Sequence, residues 1–271
     1  MTLPESVHQS LREQYNPDGS TLRRAQLRML EMLKFLDRVC LENGLEYWID
    51  YGTLLGAVRH GGFIPWDDDT DVCMMREDAI TFKRLMLSGA YGDEFVLQCR
   101  ETDDGFFGSW LVLRDTHSEY VQDSEVHKKR RFRGLQVDIF IYDDRTVQLF
   151  LDVTKHVYRD LVQRPLLRIP DREKAIRRVR PRAFLLYGIL DPLFRFFSPR
   201  RKYIAPAYGT WFTVDRTPKE LIFPLGTVCF EGHMFSCPGR KEDELALWYG
   251  DWQKLPNQIQ THDATILFKE S

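Results

Sequence analysis

Three aspartates spaced by two, Asp67, Asp69 and Asp71, run into the apolar residues Val72, Cys73 and Met74. On an extended chain residues at i and i+2 face the same way, so these carboxylates project from one side of a strand start. Such a group of oxygens suits a hard cation, Mg2+ or Mn2+, which is held by one or two carboxylates together with substrate phosphates. A calcium loop would need a central glycine and a terminal glutamate in a twelve-residue pattern, and that pattern is absent. Upstream, residues 47–49 read as a short apolar strand, and 53–60 have the spacing of a short helix stopped by Gly61-Gly62. Gly52 and Thr53 would open that helix, where unpaired N–H groups and the positive end of the macrodipole suit a phosphate. A further carboxylate, Asp138, stands inside the apolar stretch 134–143, and burying it without a partner would be costly.

Taken together, the run Gly52-Thr-Leu-Leu-Gly-Ala-Val-Arg-His-Gly-Gly-Phe-Ile-Pro-Trp-Asp-Asp-Asp-Thr-Asp71 closely resembles the signature of the LicD family, related to fukutin and fukutin-related protein. Val137-Asp138-Ile139-Phe140 resembles a second family element. Thr70 departs from the family's usual aliphatic residue. The resemblance implies a nucleotidyltransferase-like fold and a metal-dependent transfer of a phospho-alcohol from a CDP-activated donor to a sugar hydroxyl. CDP-choline is the donor best associated with LicD, and the acceptor would be a sugar or lipid-linked glycan. On this reading Asp69 and Asp71, joined by Asp67, hold the metal, and Asp138 ligates it or takes the acceptor's proton. Gly52 and Thr53 would position phosphate oxygens, with Arg59, His60 or Arg114 offsetting charge on the transferring group. Arg114 falls where the family often has a basic residue, and arginine binds phosphate in a planar, bidentate way. Near the end, Tyr249-Gly250-Asp251, Pro256 and His262 resemble a closing segment of the family, although His262 is followed by Asp263 where a histidine pair is frequent. CDP-ribitol or CDP-glycerol as donor, a nucleotidyl transfer, and a non-catalytic glycan- or metal-binding module are the other readings.

The elements that must position these residues follow from patterning. Ser20 or Thr21 can cap a helix running to about Glu42 and closed by Asn43-Gly44. Leu22, Leu27, Leu30, Leu33, Phe35 and Leu36 supply its apolar face, with Arg23, Arg24, Arg28, Glu31 and Lys34 opposite. A second amphipathic helix is expected over 76–87, with strands near 95–99 and 110–114. Cys229 to Cys237 reads as a β-hairpin turning at Glu231-Gly232-His233, a better account than a zinc site because zinc favours four ligands in short paired spacings. The predicted fold class is α/β (α+β), a nucleotidyltransferase-like mixed β-sheet with packed helices and a mostly helical C-terminal half. Residues 1–150 would form the catalytic core with its N-terminal helix, and 151–271 a helical, basic and apolar annex completing the acceptor side.

Composition narrows the classes further. With 271 residues, 43% of them hydrophobic, the chain can bury a sizeable core, and a formal net charge of −2 gives no nucleic-acid signature. Five cysteines without a C-x-x-C pair suggest free, mostly buried thiols. The first residues lack a basic n-region and an apolar h-region, so the expectation is a cytoplasmic chain of the bacterial LicD type. Residues 172–202 interleave arginines with an aromatic and aliphatic run too short to span a bilayer. That composition fits either a peripheral contact with the inner face of an anionic membrane or a helical subdomain with a solvated basic rim.

Overall fold

A computed structural model describes residues 4–145, 156–207, 216–256, 258–259 and 264–269. The strands are β1 (Trp48–Ile49), β2 (Asp71–Met75), β3 (Phe95–Gln98), β4 (Leu111–Asp115), β5 (Ser118–Gln122), β6 (Gln136–Asp143), β7 (Tyr203–Pro206), β8 (Thr217–Pro218), β9 (Gly226–Phe230), β10 (His233–Cys237) and β11 (Ala264–Phe268). The central sheet has the order β1-β2-β6-β4-β3. Only β2 and β6 run parallel among these neighbours; β1 with β2, β6 with β4, and β4 with β3 are antiparallel. β6 is the longest strand. It pairs β4 along Gln136–Ile139 and then β7 through Tyr142 and Asp143, so β7 continues the row that β4 begins.

Among the helices, α1 (Glu5–Tyr15), α2 (Thr21–Asn43), α3 (Tyr51–His60) and α4 (Arg76–Leu87) belong to the first half. α2 has the caps its sequence calls for. The Ser20 side chain accepts from Arg23 N, and Gly44 closes the helix in the left-handed region at φ 63°. Its buried stripe of Ala25, Met29, Met32, Leu33, Leu36 and Val39 packs with Val72, Val137 and Ile139 of the sheet. Two residues depart from the expected faces. Leu27 is exposed, whereas Arg23 is buried, because Glu231 receives it in a two-bond pair at 3.0 and 2.6 Å.

Beyond 150, α5 (Arg164–Arg168), α6 (Arg172–Phe184) and α7 (Asp191–Phe197) are joined with π-helical stretches at Arg159–Gln163 and Leu185–Leu190. They enclose a core of their own around Val162, Leu166, Ile176, Val179 and Leu186, with Phe107 as the contribution from the first half. Strands dominate after residue 203, with α8 (Lys219–Ile222) and α9 (Lys241–Tyr249) between them. The hairpin β9–β10 turns at Glu231 and Gly232, both at positive φ, as a two-residue turn requires. β7 joins β6 and β11 joins β5, so the later half adds strands to the earlier half's sheets. Among the described residues no helix is long and apolar enough to cross a membrane.

Candidate active site

β2 and β6 carry the site. Their parallel register sets Asp71 directly opposite Asp138, and neighbouring strands lie ~4.8 Å apart with opposed side chains on one face. Backbone contacts fix this pairing from both sides: Asp138 N donates to Thr70 O at 2.8 Å, and Asp50 N donates to Asp71 O at 3.2 Å. Alternation along the acidic run separates its residues by role. Asp67, Asp69 and Asp71 are half-buried, while Asp68, Thr70 and Val72, which alternate with them, are buried. Asp68 accepts from the Tyr120 hydroxyl at 2.9 Å.

α3 supports this ledge from below. The Thr53 hydroxyl accepts from Asp71 N at 2.8 Å, so Thr53 aligns the start of β2. Gly52 lies under Asp67: a Cβ at Gly52 would sit 3.0 Å from an Asp67 carboxylate oxygen. The positive end of α3 therefore already faces a carboxylate. The connecting loop is held by distant groups. Gln26 Nε2 donates to Asp67 O at 2.9 Å, and Glu231 accepts from Phe63 N at 3.2 Å while its own N donates to Gly61 O at 2.9 Å. Glu231 fills the space where a Cβ on Gly62 would stand, 2.3 Å from its Oε1, so a larger residue there would push the Glu231 carboxylate from its place.

The carboxylates act on one another. Burial pushes Asp71 well above the usual carboxylate range, and Asp69, Asp138, Asp67 and Asp50 all add to the rise. Burial brings Asp138 up to about 6, with Arg114 opposing and Asp69 adding. Asp138 is also gripped at each oxygen: Trp110 Nε1 donates to one at 3.0 Å and Gln136 Nε2 to the other at 3.0 Å. A row of touching rings flanks it, Trp110 with Phe140 at 6.2 Å, Phe140 with Tyr51 at 5.3 Å, and Tyr51 with Trp248 at 5.6 Å.

Sequence reasoning passed over three groups here. Burial raises the Tyr249 phenol, and the charges of Asp71, Asp50, Asp67 and Asp69 raise it further, so it lies within their field. Its motif was visible, but the approach of α9 to α3 was not. Gln136 stands two residues before Asp138 on the same strand face, a signal that was available. Trp110 reaches Asp138 only through the β4–β6 pairing.

The basic candidates lie elsewhere. Arg114 is fully buried on β4, donating to Gln98 at 2.8 Å and to Gly134 O at 2.8 Å. Burial, with Arg130 nearby, brings its guanidinium down to about 9. Arg59 is buried too, bound to the Trp252 and Lys254 carbonyls at 3.1 and 3.2 Å and to His60 at 2.9 Å. Its position ties the segment after α9 to α3. Burial, then Arg59 and His8, lower His60 to about 3, so this ring is neutral at neutral pH and packs against His8 and Trp66. His262 lies outside the described residues. Cys229 is exposed and Cys237 buried on the hairpin, both as free thiols. A cavity of about 750 Å³ lined by Arg100, Arg131, Arg180, Phe107, Phe184 and Tyr187 contains none of the ledge carboxylates.

A mixed sheet whose two adjacent parallel strands carry facing carboxylates beside a helix opening agrees with the α/β fold expected from the sequence. Residues 44–170, a little under half of the chain, match the family model described as LicD/FKTN/FKRP, nucleotidyltransferase domain, and the chain is similar to named transferases of that kind. Over 258 residues it is 28% identical to the lipopolysaccharide cholinephosphotransferase LicD of Haemophilus influenzae, covering 87% of this chain and 92% of that one. It is 44% identical to the human ribitol 5-phosphate transferase FKRP over 117 residues, 35% of this chain and 24% of that protein. An uncharacterized protein of Rickettsia prowazekii is 29% identical over 132 residues, 42% of this chain and 49% of the relative.

Proposed function

We propose that the protein transfers a phospho-alcohol from a CDP-activated donor to a sugar hydroxyl of a cell-surface glycan or its lipid-linked precursor, such as a lipopolysaccharide or teichoic acid. The observation that carries this is the pairing of Asp71 with Asp138 across parallel strands, with Asp69 two residues upstream on the same open face. Phosphocholine is the favoured group. The row of Tyr51, Trp110, Phe140 and Trp248 beside Asp138 supports it, because aromatic faces attract a quaternary ammonium. The likeness to FKRP favours ribitol phosphate as the second reading, and glycerol phosphate is of the same class.

The donor set fits Mg2+ or Mn2+ in its chemistry, being oxygen alone, and the charged groups that act most on Asp71 are acidic. Among the described residues no three His, Cys, Asp or Glu side chains are placed to hold a metal ion by themselves. An open sphere completed by substrate oxygens and water is the arrangement magnesium ordinarily accepts. Asp69 and Asp71, with Asp67, would hold the ion. Bound there, it would neutralise charge on the donor's pyrophosphate. A phosphate near Gly52 would share that turn with Asp67, and a cation held by Asp67 would offset their repulsion. In the transfer the acceptor oxygen bonds to the phosphorus bearing the alcohol, the bond from that phosphorus to CMP breaks, and Asp138 takes the hydroxyl proton. Trp110 and Gln136 keep that carboxylate aimed. The reaction belongs on the cytoplasmic side in this reading.

The test is CMP release from CDP-choline, CDP-ribitol and CDP-glycerol with a glycolipid acceptor extract, with Mg2+ and with EDTA. We expect metal-dependent release from one donor, lost in Asp69→Ala and Asp138→Ala, and a product mass showing that the phospho-alcohol moved. Folded wild type that releases no CMP from any donor with acceptor present would overturn the proposal.

A further inference from the structure

The helical path from α6 through Leu185–Leu190 to α7 is buried on one side and bare on the other. Its inner side supplies the second core and two anchors: Asp191 accepts from Arg76 at 2.8 and 3.0 Å, and Arg195 donates to Asp143 at 2.8 Å. These bonds fix the path to the C-terminal ends of β2 and β6. On its outer side Phe184, Leu193, Phe196 and Phe197 are 65%, 50%, 78% and 75% exposed. Single apolar residues on a surface are ordinary, but several large rings along one helical face, two of them in edge contact at 5.2 Å, are not. The same segment carries cations. Arg177, Arg178, Arg182, Arg201 and Lys202 have no ion-pair partner among the described residues.

We propose that this outer face of α6 and α7 docks on an anionic lipid bilayer. Aromatic side chains seated among headgroups, with arginines drawn to anionic lipid, are the chemistry of an interfacial helix. A second copy of this chain is the poorer occupant, because a two-fold contact would set arginines against arginines around the same rings. The segment's sequence left a solvated basic rim as an equal alternative. The exposure of the phenylalanines favours the membrane contact.

The test is co-sedimentation of the full chain with vesicles of phosphatidylglycerol and phosphatidylcholine, or of phosphatidylcholine alone, at ~0.1 and ~0.5 M salt. It requires neither donor nor metal, so its result stands apart from that of the transfer assay. We expect binding to the anionic vesicles that salt weakens. Replacing both rings (Phe196→Ser with Phe197→Ser) should lower partitioning by about tenfold or more. Arg177→Gln with Arg178→Gln should lower it by roughly tenfold on anionic vesicles only. The exchanged rings are largely solvent-exposed, so an unchanged circular dichroism spectrum and melting temperature should show the variants folded. The proposal fails if folded wild type ignores anionic vesicles, binds neutral ones equally well, or keeps its binding without the rings. It also fails if sedimentation equilibrium finds a dimer that the ring variant dissociates.

Discussion

β2 and β6 lie side by side, and each of their two ends gathers carboxylates, yet the ends are built on opposite principles. At the C-terminal end Arg76 meets Asp143 at 2.5 Å and Asp191 at 2.8 Å, and Arg195 adds a second cation on Asp143. Acids and arginines there neutralise each other, and the group is a structural joint between sheet and α7. At the opposite end Asp71 and Asp138 face each other with Asp69, Asp67 and Asp50 nearby, and each of these acids makes it harder for Asp71 to ionise. The fold can neutralise carboxylates with its own cations and does so at one end. Under the proposed function, carboxylates concentrated at the other end reduce stability for the sake of chemistry, the usual cost of an active site.

Asp71→Asn tests that contrast most strongly. CMP release should fall by about 10³-fold, while the melting temperature, followed by calorimetry, should hold or rise because a like charge is gone. A loss of both activity and stability would mean that Asp71 is a structural group like Asp191. The mirror experiment is Arg76→Met, which leaves Asp143 and Asp191 buried with less compensation. Denaturant unfolding should show a loss of about 3–5 kcal/mol, with activity per folded molecule retained. A drop in turnover without a drop in stability would erase the distinction between the ends.

Two smaller effects sharpen the picture of the acidic end. Trp110→Phe keeps the ring and removes the donor to Asp138, so turnover should fall by about tenfold with stability nearly unchanged. The fourth concerns Glu244 on α9, which burial and then Asp50 push up to about 10 from 4.5. Folded Glu244 keeps its proton over that range while the unfolded chain loses it, so stability is full below about 4.5 and is lost as pH rises towards 10. Unfolding measured from pH 5 to 9 should show that decline, and Glu244→Gln should flatten it by more than about 1 kcal/mol across the range. An unchanged slope would mean Glu244 is ionised in the folded protein.

Local chemistry was legible wherever one stretch of chain is enough to produce it. The capped helix α2, the helix α4 over Arg76–Leu87, the hairpin at Glu231-Gly232 and the alternation of Asp67, Asp69 and Asp71 follow from periodicity and turn residues. Arg59 and His60 could not be read in this way, because their burial comes from the Trp252 and Lys254 carbonyls, from His8 and from Trp66. Arg114 looked like a strand-end charge, yet the β3–β4 pairing hands it to Gln98.

What the sequence determined by itself is which groups are present and how they are spaced locally: oxygen donors at i, i+2 and i+4, a helix opening at Gly52, and one carboxylate in an apolar strand. Tertiary structure alone decided which of them meet. The register of β2 on β6 puts Asp71 against Asp138 across 67 positions of chain, and Arg23 finds Glu231 across 208. The reason is physical. Side-chain direction along a helix or strand is a local property of the backbone, whereas strand register and charge pairing are set by how the whole core closes.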